Sequence, residues 1–436
     1  MKTTRHDSFA AYVLPSVLAF ALSGLYTIVD GFFIGQSLGD LGLAAITLAY
    51  PAAALLQAVG TGIGLAGAIR CTILQARGEE QTPRTCFSGT VLLLLATSAV
   101  FAAVLLGLLG PVLTVLGAQD EARPLAAEYI RVIACGTAFQ ILATGLVPFI
   151  RNLGGSAFAM VAMGTGFVTN IALDYLFVWE FHWGMAGGAW ATVIGQAATM
   201  LLAIGYLVRR RVGFVPPKAG EVLPLWGGLL KVAAAPVGLT FSPNITLMVM
   251  NHFLLRYGGA LAIAVYGCID YVLSTIYMLL QGVGDGSQPL ISRAYGAGDF
   301  GELRRNGARA YRAAFGITAV CIVALFLTRS VIGVLFGASA EANAGVIARL
   351  PLFLATLPLL AYVRVTTAYF YATEKTALSY VLVFSEPVLT FVVLLILPQL
   401  LRLTGVWLAI PMAQVLTFCI AVPARRRTQR ARELPA

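Results

Sequence analysis

The chain has 436 residues, 59% of them hydrophobic and 11% charged, whereas soluble domains carry roughly 25% charged and about 45–50% apolar residues. So much apolar surface excludes a water-soluble fold, and lipid admits only helices or closed barrels, which satisfy their own backbone. The net charge of +10 does not point to nucleic acid, because the cations gather beside apolar runs, where they set topology and attract anionic lipid.

The apolar runs are each about 20 residues long and lack the alternation of barrel strands, which predicts an all-α integral membrane protein. Twelve spans are predicted near 12–37, 42–69, 86–110, 124–148, 156–180, 187–208, 228–255, 260–287, 312–336, 346–370, 378–398 and 405–423. Lys2, Arg5 and the run Ala19-Phe20-Ala21 mimic a signal peptide. Cleavage there would leave 22–35 too short to span, so the first run reads as an uncleaved helix. Pro15, Pro51, Pro236 and Pro243 punctuate the spans, a break tolerated near a cavity.

Lys and Arg collect on one side of this array. Lys2, Arg5, Arg77, Arg84, Arg209, Arg210, Arg211, Lys218, Arg293, Arg304, Arg305, Arg309 and the arginines from Arg425 onward share it. The positive-inside rule then places both termini in the cytoplasm, which requires an even number of spans. An internal repeat runs through the chain. Val59-Gly60-Thr61-Gly62 is echoed by Val283-Gly284-Asp285-Gly286, and Gly188-Ala189-Trp190 with Gln196 by Gly405-Val406-Trp407 with Gln414. Pro15 is matched by Pro236 at a similar offset of about half the chain. The expected organisation is a six-helix lobe over 1–210, a cytoplasmic linker over 211–225 and a second six-helix lobe over 226–436. Two halves in the same orientation place a binding site at their interface.

Four carboxylates fall deep in predicted spans: Asp30, Asp174, Asp270 and Glu386. Each costs about 2.5–3.5 kcal/mol if charged at the bilayer centre, so each invites a functional reading. From the helical rise, Asp30 in span 1 and Asp174 in span 5 both lie ~8 Å outward of their span midpoints. Asn170 precedes Asp174 by four residues and shares its helix face. Thr192 in span 6 and Tyr129 in span 4 fall at a comparable level. Carboxylates, an amide and hydroxyls at one level can hold a proton or a Na⁺ ion, or can be a polar contact between helices. Asp270 and Glu386 are expected near mid-membrane, with Arg364 in span 10 able to neutralise one of them, as a structural pair or as a second polar site. Asp285 and Glu374 are expected at helix ends, as interfacial groups. The six scattered cysteines form no C-x-x-C, no phosphate-binding loop of the G-x-x-x-x-G-K-[ST] type occurs, and no cofactor is expected.

The motifs carry a family resemblance. Tyr26-Thr-Ile-Val-Asp30-Gly-Phe-Phe-Ile-Gly35 followed by Leu43-Ala-Ala-Ile46, Asn170-x-x-x-Asp174 with Gly187-Gly-Ala-Trp-Ala-Thr192, and Gly282-Val-Gly-Asp-Gly-Ser-Gln-Pro-Leu-Ile-Ser292 with Tyr295-Gly-Ala-Gly298 resemble the multidrug and toxic compound extrusion (MATE) family over nearly the whole chain. The resemblance implies two six-helix lobes around a V-shaped cavity and export of mostly cationic, amphipathic drugs against inward H⁺ or Na⁺ flow. It places Asp30, Tyr129, Asn170, Asp174 and Thr192 on the family's cation-site positions, with Na⁺ a candidate at Asp30, Asn170, Asp174 and Thr192, and Pro15 on its kink in helix 1. It departs from the second-lobe Na⁺ pattern, because span 7 lacks its glutamate and span 10 carries Arg364 without an internal acid. The expected protein is a monomer of the bacterial inner membrane, with small-molecule drugs and membrane lipid as partners. The alternative within the same superfamily is a flippase for lipid-linked saccharides, against which twelve spans and an acidic first lobe argue. A membrane-embedded enzyme such as a prenyl transferase would need aspartate-rich Mg²⁺ motifs, and none occurs.

Overall fold

The structure, a computed structural model, describes residues 8–79, 81–118, 121–336 and 338–430, without the side chains of 25, 27, 28, 30–32, 36, 40, 43, 44, 81 and 430. The described residues form helices α1 (Phe9–Ala76), α2 (Gln81–Gly107), α3 (Leu109–Val115), α4 (Ala122–Cys135), α5 (Thr137–Asn152), α6 (Ser156–Asp174), α7 (Gly184–Arg209), α8 (Ala219–Gly296), α9 (Phe300–Leu335), α10 (Ala340–Ala372), α11 (Thr376–Leu401) and α12 (Leu403–Arg430), with a π-helical turn at Tyr175–Glu180 after α6.

Helices and spans do not coincide one to one. Among the described residues, nine helical stretches are long and apolar enough to cross a membrane, and α4 with α5, bent by 59°, forms a tenth. One of the nine, α8, has 78 residues, several times what a hydrocarbon core of ~30 Å requires. Gly259 (φ 66°, ψ −166°) divides it in two. Gly39 (φ 63°, ψ −156°) likewise divides the 68 residues of α1. That backbone region is open essentially to glycine alone. The second half of α8 and the first part of α1 complete twelve spans. The two glycine breaks stand 220 positions apart, so the repeat read from the sequence reappears in the backbone.

The twelve spans form two six-helix bundles. The compact units are Met1–Val237 with Ser292–Phe300, and Gly238–Ile291 with Gly301–Ala436. In the first, Phe87, Leu146, Val147, Phe149, Ile150, Ala159, Ala203 and Leu207 make an apolar core, and Phe87 meets Phe149 edge-on at 5.0 Å. In lipid the hydrophobic effect does not drive helices together, so close packing of small residues must do so. A Cβ on Gly64 would lie 2.0 Å from the Gly145 carbonyl oxygen, which is how closely α1 and α5 approach. The stretch expected as a linker lies against α2, where the Val215 N–H donates to Ser88 Oγ (2.7 Å), and just beyond it the Trp226 indole donates to the Gly89 carbonyl (3.0 Å).

Several boundaries differ from the sequence reading. Span 4 is two helices meeting at Gly136, where a Cβ would lie 2.3 Å from Val193; an apolar run gives no sign of that bend. Helix α12 continues to Arg430, and Arg425, expected as one of the topology-setting cations that flank the last span, is 4% exposed. Asp285, expected at an interfacial helix end, is 1% exposed. Gly284 lets α10 approach at this point, since a Cβ there would lie 3.1 Å from Ala368 Cβ.

Candidate cation-coupling site

The first unit gathers its polar groups at the end of α6. Asn170 and Asp174 are 2% and 0% exposed and stand one turn apart, on one face. Helix α7 reaches that face through glycines. A Cβ on Gly195 would lie 2.7 Å from the Gly166 carbonyl oxygen and 3.0 Å from Asn170 Cβ, and one on Gly188 would lie 3.1 Å from Ile34 Cδ1 and 3.9 Å from Asp174 Oδ1. Thr192 shares the α7 face with both glycines, so its hydroxyl faces α6 and accepts from Asn170 Nδ2 at 3.4 Å. That bond turns Asn170 Oδ1 the other way, buried and without a hydrogen-bond partner. Ile34, 0% exposed, brings α1 to the same place. Asp30 precedes it by one turn, but its side chain lies outside the described residues. Tyr129 is buried on α4, which packs against α7 and α1. Pro15 lies within α1 with helical backbone around it; the non-helical residue of α1 is Gly39.

Immediately after Asp174 the helix widens into the π-turn, a feature common at functional sites. Ser37 Oγ donates to the Val178 carbonyl within it at 3.3 Å, and Tyr175 OH donates to Glu180 at 2.6 Å. Phe33 packs edge-on against both Tyr175 and Trp179, and Phe177 stacks on Trp183 at 4.6 Å. Such an aromatic cluster marks the membrane–water interface.

The second unit holds a different cluster. Arg364, 6% exposed, stands 4.0 Å from Glu386 and donates to the Leu239 carbonyl at 3.3 Å. Its guanidinium lies 5.2 Å over the Tyr277 ring. Gln414 Nε2 donates to Glu386 Oε1 and reaches Tyr277 OH, both at 3.3 Å, while its Oε1 accepts from Thr356 at 2.5 Å. Arg364 therefore pairs with Glu386, and Asp270 instead faces Tyr266 OH at 3.5 Å. Asp285 accepts from Gln281 (3.0 Å) and from Tyr371 OH (3.2 Å).

The MatE family model matches residues 15–176 and 237–396. The chain belongs to the MatE family of membrane transporters. Among curated relatives, the multidrug export protein MepA of Staphylococcus saprophyticus is 26% identical over 73% of this chain and 70% of its own length. MepA of Staphylococcus aureus is 25% identical over 72% of this chain and 70% of its own. Two solved structures share the fold. A MOP-superfamily transporter from Pyrococcus furiosus, described as having a binding pocket of reversed polarity, superposes with a TM-score of 0.91 at 20% identity over 100% of both chains. A multidrug-resistance MATE transporter in an outward-facing conformation superposes with a TM-score of 0.90 at 21% identity over 98% of this chain and 96% of its own.

In this MatE chain, Asn170 and Asp174 share one face of α6, and Thr192 of α7 meets Asn170 there. The π-turn and the burial of Asp285 escaped the sequence reading. Nothing in a run of apolar residues signals an extra residue in one helical turn, and burial of Asp285 depends on α10, some 86 positions away at Tyr371. No group of three or more His, Cys, Asp or Glu converges among the described residues. The oxygens at the α6–α7 contact are instead carboxylate, amide and hydroxyl, hard donors of the kind alkali cations take.

Proposed function

We propose that this MatE transporter exports amphipathic, mostly cationic drugs in exchange for H⁺ or Na⁺ by alternating access, with Asp30, Asn170, Asp174 and Thr192 as the coupling cluster. One observation carries the reading: Asp174 is buried one turn from Asn170, whose carbonyl oxygen has no hydrogen-bond partner. A protonated carboxyl can donate to that oxygen. An ionised one can instead accept from the Thr192 hydroxyl, whose hydrogen is not used by the bond it receives from Asn170. A Na⁺ ion would be held by Asp174 and Asn170 through oxygen. Each choice of occupant thus selects a different hydrogen-bond arrangement between α6 and α7, the two-state element that coupling requires.

Loading the cluster reshapes α1, which touches α7 at Ile34. Pro15 makes a bend cheap, because it leaves a carbonyl of the preceding turn unpaired. The protein works as a monomer in a bacterial inner membrane with both termini cytoplasmic, the side to which its arginines point. The names of the Staphylococcus relatives support drug export. Efflux of a fluorescent lipophilic cation from proteoliposomes, under separately imposed pH and Na⁺ gradients, tests the reading. Efflux driven by one gradient supports it and names the ion; none under either gradient, with lipid-linked saccharide flipped instead, overturns it.

A further inference from the structure

We propose that Arg425 is the centre of a binding site for a phosphate oxyanion, the headgroup of an anionic phospholipid or a free phosphate, set among α9, α10 and α12. Arg425 is 4% exposed, and its Nε and Nη1 are buried with no hydrogen-bond partner. Its guanidinium lies 3.4 Å over the Tyr369 ring on α10, a contact that holds the plane in place and leaves its edge of N–H donors unused. Helix α9 closes the third side through Gly307, where a Cβ would lie 3.4 Å from Arg425 Nη2 and 3.8 Å from the Tyr369 ring. The preceding residue, Asn306, is 2% exposed, and its Nδ2 is likewise buried without a partner. Tyr311 on α9 and Tyr362 on α10 also meet between these helices. Their rings stack at 5.1 Å, and Tyr311 OH shares a 2.7 Å hydrogen bond with Thr366 Oγ1.

This is an inventory of donors. A buried guanidinium with Nε and Nη1 unspent leaves a charge and its N–H groups uncompensated unless an acceptor joins them. The ligand must therefore be an anion with several acceptor oxygens that can meet a planar fork and groups from neighbouring helices, which is the geometry of phosphate. Its surroundings favour the same class. Arg304, Arg305 and Arg309, within three residues of Gly307 on α9, and Arg426 and Arg427, next to Arg425 on α12, are exposed, a field that concentrates anions and recruits acidic lipid headgroups. The MatE transport reading does not use Arg425, so the two stand independently.

The test uses full-length protein purified in a neutral detergent. It is titrated with phosphatidylglycerol, phosphatidylcholine or inorganic phosphate and followed by thermal unfolding and native mass spectrometry. Phosphatidylglycerol is expected to raise the melting temperature and to remain bound as a discrete adduct. Phosphatidylcholine, whose choline the arginines repel, is not. An equal response to inorganic phosphate assigns the site to a soluble anion and still supports it. Arg425→Met should weaken the response at least about tenfold, the loss of a charged hydrogen-bonding partner. In lipid-free detergent it should melt no lower than the parent, since it removes an uncompensated buried charge. Arg425→Lys keeps the charge and loses the fork; it serves if the Met variant does not fold, with a weakening of about fivefold expected. The proposal fails if the parent responds to no anion, if phosphatidylcholine acts as well as phosphatidylglycerol, or if the substituted proteins respond as the parent does.

Discussion

Each unit buries a polar cluster between its helices, and the two are built from different chemistry. In the second unit Glu386 meets Arg364 at 4.0 Å, with Gln414 bridging the glutamate to Tyr277 and Thr356. A guanidinium stays charged at any physiological pH, so this cluster carries its own counter-charge. In the first unit Asp174 stands beside an amide and a hydroxyl, and the amide oxygen is left unsatisfied. Neutral partners can serve either form of a carboxyl, whereas a fixed cation serves only the ionised one. On the proposed reading, the contrast separates a cluster that exchanges its occupant from one that holds helices together.

The largest expected effect comes from removing the exchangeable acid. Asp174→Asn should lower gradient-driven efflux at least ~100-fold with folded protein still in the membrane, since a neutral amide takes no proton and offers a cation no compensating charge. Asp30→Asn should do the same. Glu386→Gln should retain most transport. Normal efflux from both aspartate variants, measured in proteoliposomes at matched protein levels, would reverse the assignment of the two clusters.

Next comes the ion pair. Arg364→Met leaves a half-buried glutamate without its cation and should destabilise the protein by about 1–3 kcal/mol, whereas the double variant Arg364→Met/Glu386→Gln should recover much of that loss. Thermal unfolding of the four proteins closes this cycle. Purely additive losses would mean that the 4.0 Å approach carries no coupling.

Gly195→Ala tests the approach of α7 to α6. The added methyl would meet the Gly166 carbonyl oxygen and Asn170 Cβ, an overpacking worth about 1–3 kcal/mol. Stability and transport should fall together, because the same contact sets the Asn170–Thr192 bond. The smallest effect is expected from Thr192→Val, which removes one hydroxyl at nearly constant volume. A loss of about fivefold in coupled efflux, one hydrogen bond's worth, with unchanged melting would place the hydroxyl in the coupling step. Unchanged efflux would confine it to packing.

Much of this was legible in the sequence, and particular residues show why. The spans, their number and the all-helical class follow from composition and run length, because lipid leaves the backbone no alternative to internal hydrogen bonding. The repeat was visible as paired motifs, and its two breaks fall on Gly39 and Gly259, whose backbone angles only glycine adopts. Asn170 and Asp174 could be placed on one face because their spacing is a property of a single helix. Tertiary structure decided everything that depends on a second helix. Gly188 and Gly195 bring Thr192 against Asn170, and no periodicity within α7 reveals which helix those glycines admit. Arg364 chose Glu386 over Asp270 through the packing of α10 against α11. Arg425 reads as one more cation in a basic tail until Gly307 and Tyr369 close over it. Local sequence sets what a helix is and which residues share its face, since those follow from rise and rotation. Which faces meet depends on contacts between residues far apart in the chain, and a buried charge acquires its role only where they meet.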